Sequence, residues 1–354
     1  MFCAALACMV CTAGIAAACE KGGGAMEREG KIILNYPLFN GESVIENASV
    51  VIEGGIVTGI ADAESVDHDC LLMPGLIDAH THMGTAGQVA SMLKYGVTAT
   101  CDVSASASLI DSSKFFTIVS SAGMTMGTLD GKSYVEKAIA QGASYIKVLL
   151  MEPNLMPKGA LRAICKAAHE EGIKVAVHAI SINAVRLSVE CGADILIHVP
   201  MKEEFPEELA RTIAEKGVVV APTLVMMETF AHSGRNGYRP EHFENAKNAV
   251  RLLHRHGVRI LAATDANDGS YAPAVGYGAP MHREMQFLSE CGMTPEEVLA
   301  SATGEVAKVF DIDGLGMVAP GKRAVLLLVE GRPDKDISAT KKIKQIWVDG
   351  MPLL

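Results

Sequence analysis

The chain has 354 residues, 49% of them hydrophobic and 20% charged, which is enough apolar side chain for a large buried core and more than one ordinary small domain. Its formal net charge of −10 at pH 7 repels polyanions, and no Lys/Arg-rich run with interleaved aromatics offsets it. The expected partner is therefore a small molecule rather than nucleic acid.

Residues 1–19 carry no charged side chain. The stretch resembles the apolar core of a signal peptide, and AAAC faintly resembles a lipoprotein cleavage site, but it lacks the preceding Lys or Arg that export signals normally carry. MEREGKIILN, from Met26, reads as an ordinary start before a first strand. Residues 1–25 are accordingly set apart from the fold, and the expected location is the cytoplasm; export or lipid anchoring is the alternative if residues 1–19 are a genuine signal. Four of the nine cysteines, Cys3, Cys8, Cys11 and Cys19, fall here in a C-x4-C-x2-C spacing, with nothing else nearby to hold a cluster. The other five, Cys70, Cys101, Cys165, Cys191 and Cys291, stand singly in apolar or helical stretches, as buried thiols do in a reducing compartment. No other segment approaches the roughly 18 consecutive apolar residues of a bilayer span.

From Lys31 to Met73 the chain runs in short β-rich pieces, KIILNYPLF, ASVVIEGGIVTGI and CLLMPG, broken by Gly and Asn turns; similar character returns in RAVLLLVEG and KIKQIWVDG. This predicts a small β-sandwich domain built from both chain ends, residues 26–73 and 316–354. Between them the apolar pattern alternates strand and helix. GLIDAH, VTATCDV, FFTIVSS, SYIKVLL, IKVAVHA, DILIHV, VVVAPTL and VRILAATDA read as strands, and the helices between them repeatedly end in Gly before a β-branched run. Eight such units fill the roughly 250 residues of a (β/α)8 TIM barrel, assigned to residues 74–315. The fold class is α/β.

In PGLIDAHTHMG, Asp78, His80 and His82 alternate and so share one face of a strand, from whose end both imidazoles leave together. In a barrel of this kind the C-terminal strand ends face the active site whatever the chemistry. Lys147, His178, His198 and Asp265 stand at such ends with His80 and His82. A lone histidine there is usually a packing residue; four with an aspartate point to a metal, since neutral imidazole and carboxylate suit zinc and similar divalent ions. Lys147, in YIKV, has two readings. It pairs with Asp265 or Asp102, or burial depresses its pKa so that it adds CO2 and becomes an anionic bridge.

PGLIDAHTHMG, YIKV, VAVHA, LIHV and ATDA, in that order, resemble the amidohydrolase superfamily, specifically its binuclear metal-dependent imidazolonepropionase-like and prolidase-like group. MHREMQFLSECGMTPEEVLASATGEVAKVFDI and GLGMVAPGKRAVLLLV resemble that group's closing segments. The resemblance implies that His80, His82 and Asp265 hold one divalent ion and His178 and His198 a second, with zinc the first expectation. A CO2-derived carbamate on Lys147 and a hydroxide would bridge them. Asp265 would act as general base and then acid in hydrolysis of an amide or cyclic amide bond. No acid follows His178 in AISINAV, unlike deaminases of this fold, and SAGMTMGTLDG lacks the Gly-Gly-His element common among the peptidase-like relatives. Val325 stands where relatives usually carry Asp.

The loops after the first and third strands are short, so the mouth is expected to be open or completed by a second copy in a homo-oligomer. Substrate contacts are expected from TLVMMETFAHSGRNGYRP and ANDGSYAPAVGYGAP: His232, Arg235, Tyr238 and Arg239, with an arginine receiving a carboxylate, and His282 behind the site. The alternatives are an ester or lactone hydrolase using the same centre, and a catalytically silent metabolite-binding barrel.

Overall fold

The computed structural model describes residues 25–28, 30–127, 130–270 and 272–353. The apolar stretch 1–24, with its four cysteines, lies outside the described residues. The chain divides into two compact units. One takes the described residues as far as Leu76, then Pro295–Ala307, then those from Asp311 onward; the other takes Ile77–Thr294 and Lys308–Phe310.

The first unit is built on one eight-stranded sheet. Its strands are β1 (Ala25–Arg28), β2 (Lys31–Phe39), β3 (Val44–Glu53), β4 (Ile56–Asp62) and β5 (Cys70–Pro74), joined from the far end of the sequence by β13 (Leu326–Glu330), β14 (Ile343–Val348) and β15 (Met351–Pro352). The spatial order is β15-β14-β13-β5-β2-β3-β4, with β1 paired to β2. Alternate residues, Leu34, Tyr36 and Leu38, Ala48, Val50 and Ile52, and Leu326 and Leu328, point into one core with Leu72 and Trp347. Register shifts between Tyr36 and Leu38, where Pro37 has no N–H to give to the ladder. The expected two-sheet sandwich is instead a single sheet that curls until its edge meets the approach to β13. There Val57 N donates to Lys322 O (2.9 Å) and Ala324 N to Gly55 O (2.8 Å). Residues 295–307 join this unit although the sequence pattern assigned them to the barrel. The reason is close backbone packing: a Cβ on Gly304 would lie 2.5 Å from the Gly41 carbonyl oxygen.

In the second unit, β6 (Leu76–Thr81), which begins one residue earlier in the first, pairs in one three-stranded sheet with β7 (Val97–Asp102) and β8 (Thr117–Ser120). A four-stranded sheet contains β9 (Ile146–Leu150), β10 (Val175–Ala179), β11 (Ile195–Ile197) and β12 (Val219–Ala221), all parallel. Backbone bonds link the two sheets at both edges. On one side Leu149 N donates to Thr125 O (2.8 Å). On the other, residues 259–266 run between β12 and β6: Leu261 N donates to Val220 O (2.9 Å), Ala79 N to Ala262 O (3.0 Å) and Asp265 N to His80 O (2.9 Å). This last segment is a series of bridges rather than the regular eighth strand expected, and Asp265 near its end adopts a positive φ of 56°.

Helices separate the strands, among them α1 (Ala86–Lys94), α2 (Ala107–Ser112), α3 (Gly131–Ala140), α4 (Lys158–Glu170), α5 (Ile182–Cys191) and α6 (Glu207–Glu215). The Gly stop works as expected at α5, where Gly192 takes the left-handed conformation at φ 91°. An additional helix, α7 (Leu224–Ser233), stands where the sequence suggested a loop, and α8 (His242–Arg255) and α9 (Ala279–Glu290) complete the unit.

Candidate metal centre

The strands of the second unit and the residues just beyond them bring His80, His82, Lys147, His178, His198 and Asp265 to the lining of one cavity. Asp265 Oδ1 lies 3.2 Å from His82 Nε2 and 3.4 Å from His80 Nε2. Potential ligand atoms of these three residues all fall within 4.8 Å of one another. The other two imidazoles adjoin them: ring centroids are 5.7 Å apart for His80 and His198 and 4.6 Å for His178 and His198. Lys147 reaches the same point from below. It is second in β9 rather than at the strand end, and register pairs it with Ala176, two positions before His178. The long stem spans that difference, and Nζ lies 3.3 Å from His80 Nε2.

Burial sets the charge of His80, Lys147, His178 and His198. It lowers the imidazoles of His80 and His198 well below their ordinary range and that of His178 to about 3, with the neighbouring Lys147 cation adding to the effect. Burial likewise lowers the Lys147 ammonium to about 7, opposed by the Asp265 carboxylate. The carboxylate of Asp102 is not a partner for Lys147. It accepts from Thr81 Oγ1 and Met83 N at 2.7 Å each, and from Ser104 N at 2.8 Å and Ala105 N at 2.6 Å, fixing the turn that carries His82.

Several further groups hold the ligands in place. His198 Nδ1 lies 2.6 Å from Thr223 Oγ1; with its proton on Nδ1, His198 turns the Nε2 lone pair into the cavity. Asp78, fully buried, accepts from His80 N (3.2 Å), Thr264 N (3.0 Å) and Thr264 Oγ1 (2.5 Å), and so ties His80 to the chain carrying Asp265. Tyr277 Oη donates to His82 O at 2.7 Å. His198, Thr223 and Asp265 all have positive φ, at 72°, 51° and 56°, a strained backbone of the kind concentrated at functional sites. Thr223 also precedes α7 without capping it. The helix N-terminus is capped from a distance by Glu284 of α9, which accepts from Leu224 N (3.0 Å) and Val225 N (2.8 Å).

The donor set fits a divalent metal ion. The imidazoles of His80, His178 and His198, kept neutral by burial, converge with His82 and the Asp265 carboxylate, and His178 Nε2 is buried with no partner in the protein. Residues 71–353 match the family model described as the amidohydrolase family. The chain belongs to this family. It is 26% identical to the imidazolonepropionase of Idiomarina loihiensis over 198 residues, covering 53% of this chain and 43% of that one. It is also 26% identical to the ochratoxinase of Aspergillus niger over 252 residues, covering 62% and 49%. The chain thus spans about half the length of the curated relatives it matches. Among solved structures, a Xaa-Pro dipeptidase with methionine bound in its active site superposes with a TM-score of 0.76 at 22% identity, covering 90% of this chain and 98% of that one.

In this amidohydrolase the residues expected to touch substrate divide. Tyr238 lines the cavity, whereas His232, Arg235, Arg239 and His282 do not. His232 sits near the exposed end of α7 with Nδ1 2.9 Å from Glu228 O. Arg235 is exposed in a short 3-10 turn, and Arg239 Nε pairs with Glu241 Oε1 at 2.6 Å. His282 is buried against helix α1, its Nε2 3.1 Å from Tyr95 O. The walls above the ligands come instead from Met124, Leu149, Met151, Ile180, Met201, Met226, Met227 and Phe230, with Asn236, Asn267 and Ala272. Met226 and Met227 follow the β12 strand, in the segment from which substrate contacts were expected. Met124, Met151 and Met201 carried no signal beyond standing just after a strand. No helix among the described residues is long and apolar enough to cross a membrane.

Proposed function

We propose that this amidohydrolase hydrolyses the carbon–nitrogen bond of an amide or cyclic amide at a centre of two divalent metal ions, zinc in the first instance. The observation that carries this reading is the convergence of four imidazoles, Lys147 and Asp265 on the floor of one cavity. Its setting supports it: parallel strands linked at both sheet edges agree with a (β/α)8 barrel, whose strand ends form the mouth. His80, His82 and Asp265 would hold one ion, His178 and His198 the other, and Lys147, carboxylated by CO2, would span them.

Bound ions of this kind lower the pKa of a water and polarise a carbonyl. The chain supplies the rest. Asp265, beside two imidazoles, accepts the proton released as the water oxygen bonds to the carbonyl carbon, and returns it to the nitrogen as the C–N bond breaks. His198, aligned by Thr223, and His80, aligned by the Asp78 bond to its backbone, are held in one orientation through the cycle. The apolar walls exclude bulk water.

The test is metal content by mass spectrometry of protein prepared with bicarbonate, beside Lys147→Ala, followed by a screen over amides and cyclic amides. Near two ions per chain, falling to one or none in the variant, together with amide turnover, would support the reading. Little metal in either protein after adding zinc or manganese would refute it.

A further inference from the structure

The cavity above the candidate metal centre is sharply divided by chemistry. Among the described residues, its charged and titratable lining groups are the six on the floor and the Tyr238 phenol; the walls are otherwise aliphatic, thioether and aromatic, apart from two asparagine amides. Asn267 is already committed, donating to Asp265 O (2.9 Å) and accepting from Gly269 N (2.8 Å). No arginine lines the cavity among the described residues, and its one lysine, Lys147, lies among the ligands. Of the cations nearest in sequence to the wall, Arg235 is exposed in its turn and does not line the cavity, and the other two are engaged elsewhere. Arg239 pairs with Glu241, and Lys202 Nζ lies over the Tyr238 ring at 4.6 Å from its centroid and donates to Asn236 O at 2.8 Å.

A second observation points the same way. Four large hydrophobic side chains are conspicuously exposed among the described residues: Met124, Met126, Met151 and Met351. Three of them stand just beyond β8 and β9, and two, Met124 at 38% and Met151 at 37% exposure, line the cavity itself. Exposed apolar side chains gathered at the mouth of a concave site mark a surface awaiting an apolar ligand. Methionine is unbranched and polarizable, so such walls adjust to ring edges and to more than one shape. The cavity volume is about 220 Å³. Since a cavity of about 150 Å³ takes a benzene, there is room for one substituted ring and the amide beside it.

From these observations we infer that the substrate is an uncharged amide bearing one aromatic or compact aliphatic group, seated between Met124, Met151, Met227 and Phe230, with no free carboxylate or ammonium on the wall side. This rests on the hydrolytic reading above and narrows it. In the reaction, water oxygen bonds to the acyl carbon, the C–N bond breaks, and the nitrogen leaves with the proton as a neutral arylamine or alkylamine while the acyl group leaves as a carboxylic acid. A dipeptide would bring its terminal carboxylate against the thioether wall, desolvated and without a counter-ion.

The test compares 4-nitroacetanilide with the same anilide bearing a ring carboxylate, on protein with its metal content measured. Binding is read by calorimetry and turnover by release of the arylamine. The expected result is at least tenfold tighter binding of the uncharged amide, and at least a hundredfold advantage in kcat/KM where turnover occurs. Met151→Lys, at a partly exposed position that tolerates charge, should narrow the difference tenfold or more by giving the carboxylate a partner. Equal or tighter binding of the carboxylate-bearing amide to the unsubstituted protein, or no binding of the uncharged one at millimolar concentration, would overturn the inference. Preferential binding of the uncharged amide without turnover in metal-loaded protein would leave this inference standing and refute the hydrolytic reading instead.

Discussion

Thr223→Val isolates the cheapest device in the site. The hydroxyl lies 2.6 Å from His198 Nδ1, and both residues are buried, at 0% and 4% exposure. Valine keeps the volume and the β-branching at the strained φ of 51°, so only the hydrogen bond is removed. An imidazole N–H left without a partner in this setting costs about 1–3 kcal/mol, and it can recover by turning its ring or moving its proton, either of which spoils the aim of Nε2. Loss of such a supporting bond weakens metal binding about 10–100-fold, or about 1.4–2.7 kcal/mol. The assay is competition with a chromogenic chelator, giving the two dissociation constants separately, beside thermal unfolding of metal-free protein. The constant of the His178 and His198 site should rise at least tenfold while that of the His80, His82 and Asp265 group stays within a few-fold. Unchanged constants with a lowered melting temperature would show that Thr223 serves stability alone and refute the alignment argument.

Three further outcomes are expected. Chelation should destabilise the folded chain by mass action, about 2.7 kcal/mol for an ion previously at a hundredfold its Kd, and a melting curve indifferent to chelator would contradict a resident ion. In metal-free protein His178 titrates at about 3 against an ordinary value near 6.5, so the unfolded chain takes up the proton first. Stability should then fall as pH drops from about 6.5 towards 3, by up to about 1.4 kcal/mol per pH unit from this imidazole. His178→Phe should flatten the denaturant-derived slope between pH 6 and 4, and an identical slope would rule the argument out. Glu284→Leu should cost about 2 kcal/mol or more by stranding Leu224 N and Val225 N, read as a lowered urea midpoint; Glu284→Gln, which retains one acceptor, should recover about half.

The floor of the candidate site was legible because it depends on position: a histidine or aspartate after an apolar β run declares itself wherever such ends share a mouth. The walls were not, since Met124 and Met201 look like any core methionine until neighbouring strands place them. Helix α7 was missed for a specific reason. Its cap is supplied by Glu284, 60 residues further along the chain, so no local start signal exists at Thr223. Basic loop residues misled for the opposite reason. Arg235 and Arg239 suit a carboxylate by type, but side-chain type carries no information on direction, and the chain turns them outward. The left-handed backbone at Asp265 was hidden too, because a positive φ at a non-glycine residue leaves no mark in composition. In the β unit, alternation located the strands but not their curl, which depends on bonds between Gly55–Val57 and residues 322–324.

That curled sheet has a consequence for biosynthesis. β5 takes β13 as its antiparallel neighbour, and the two are separated by the whole second unit. At about 5–20 residues per second, a ribosome needs roughly 10–50 s between making these two strands. Throughout that interval the nascent chain offers Leu72 and its flanking strands with an unfilled edge and an uncovered apolar face, the form of surface that other emerging chains and holdase chaperones compete to occupy. Yield from the cell should therefore respond to translation speed and chaperone supply more steeply than the stability of the finished protein would suggest.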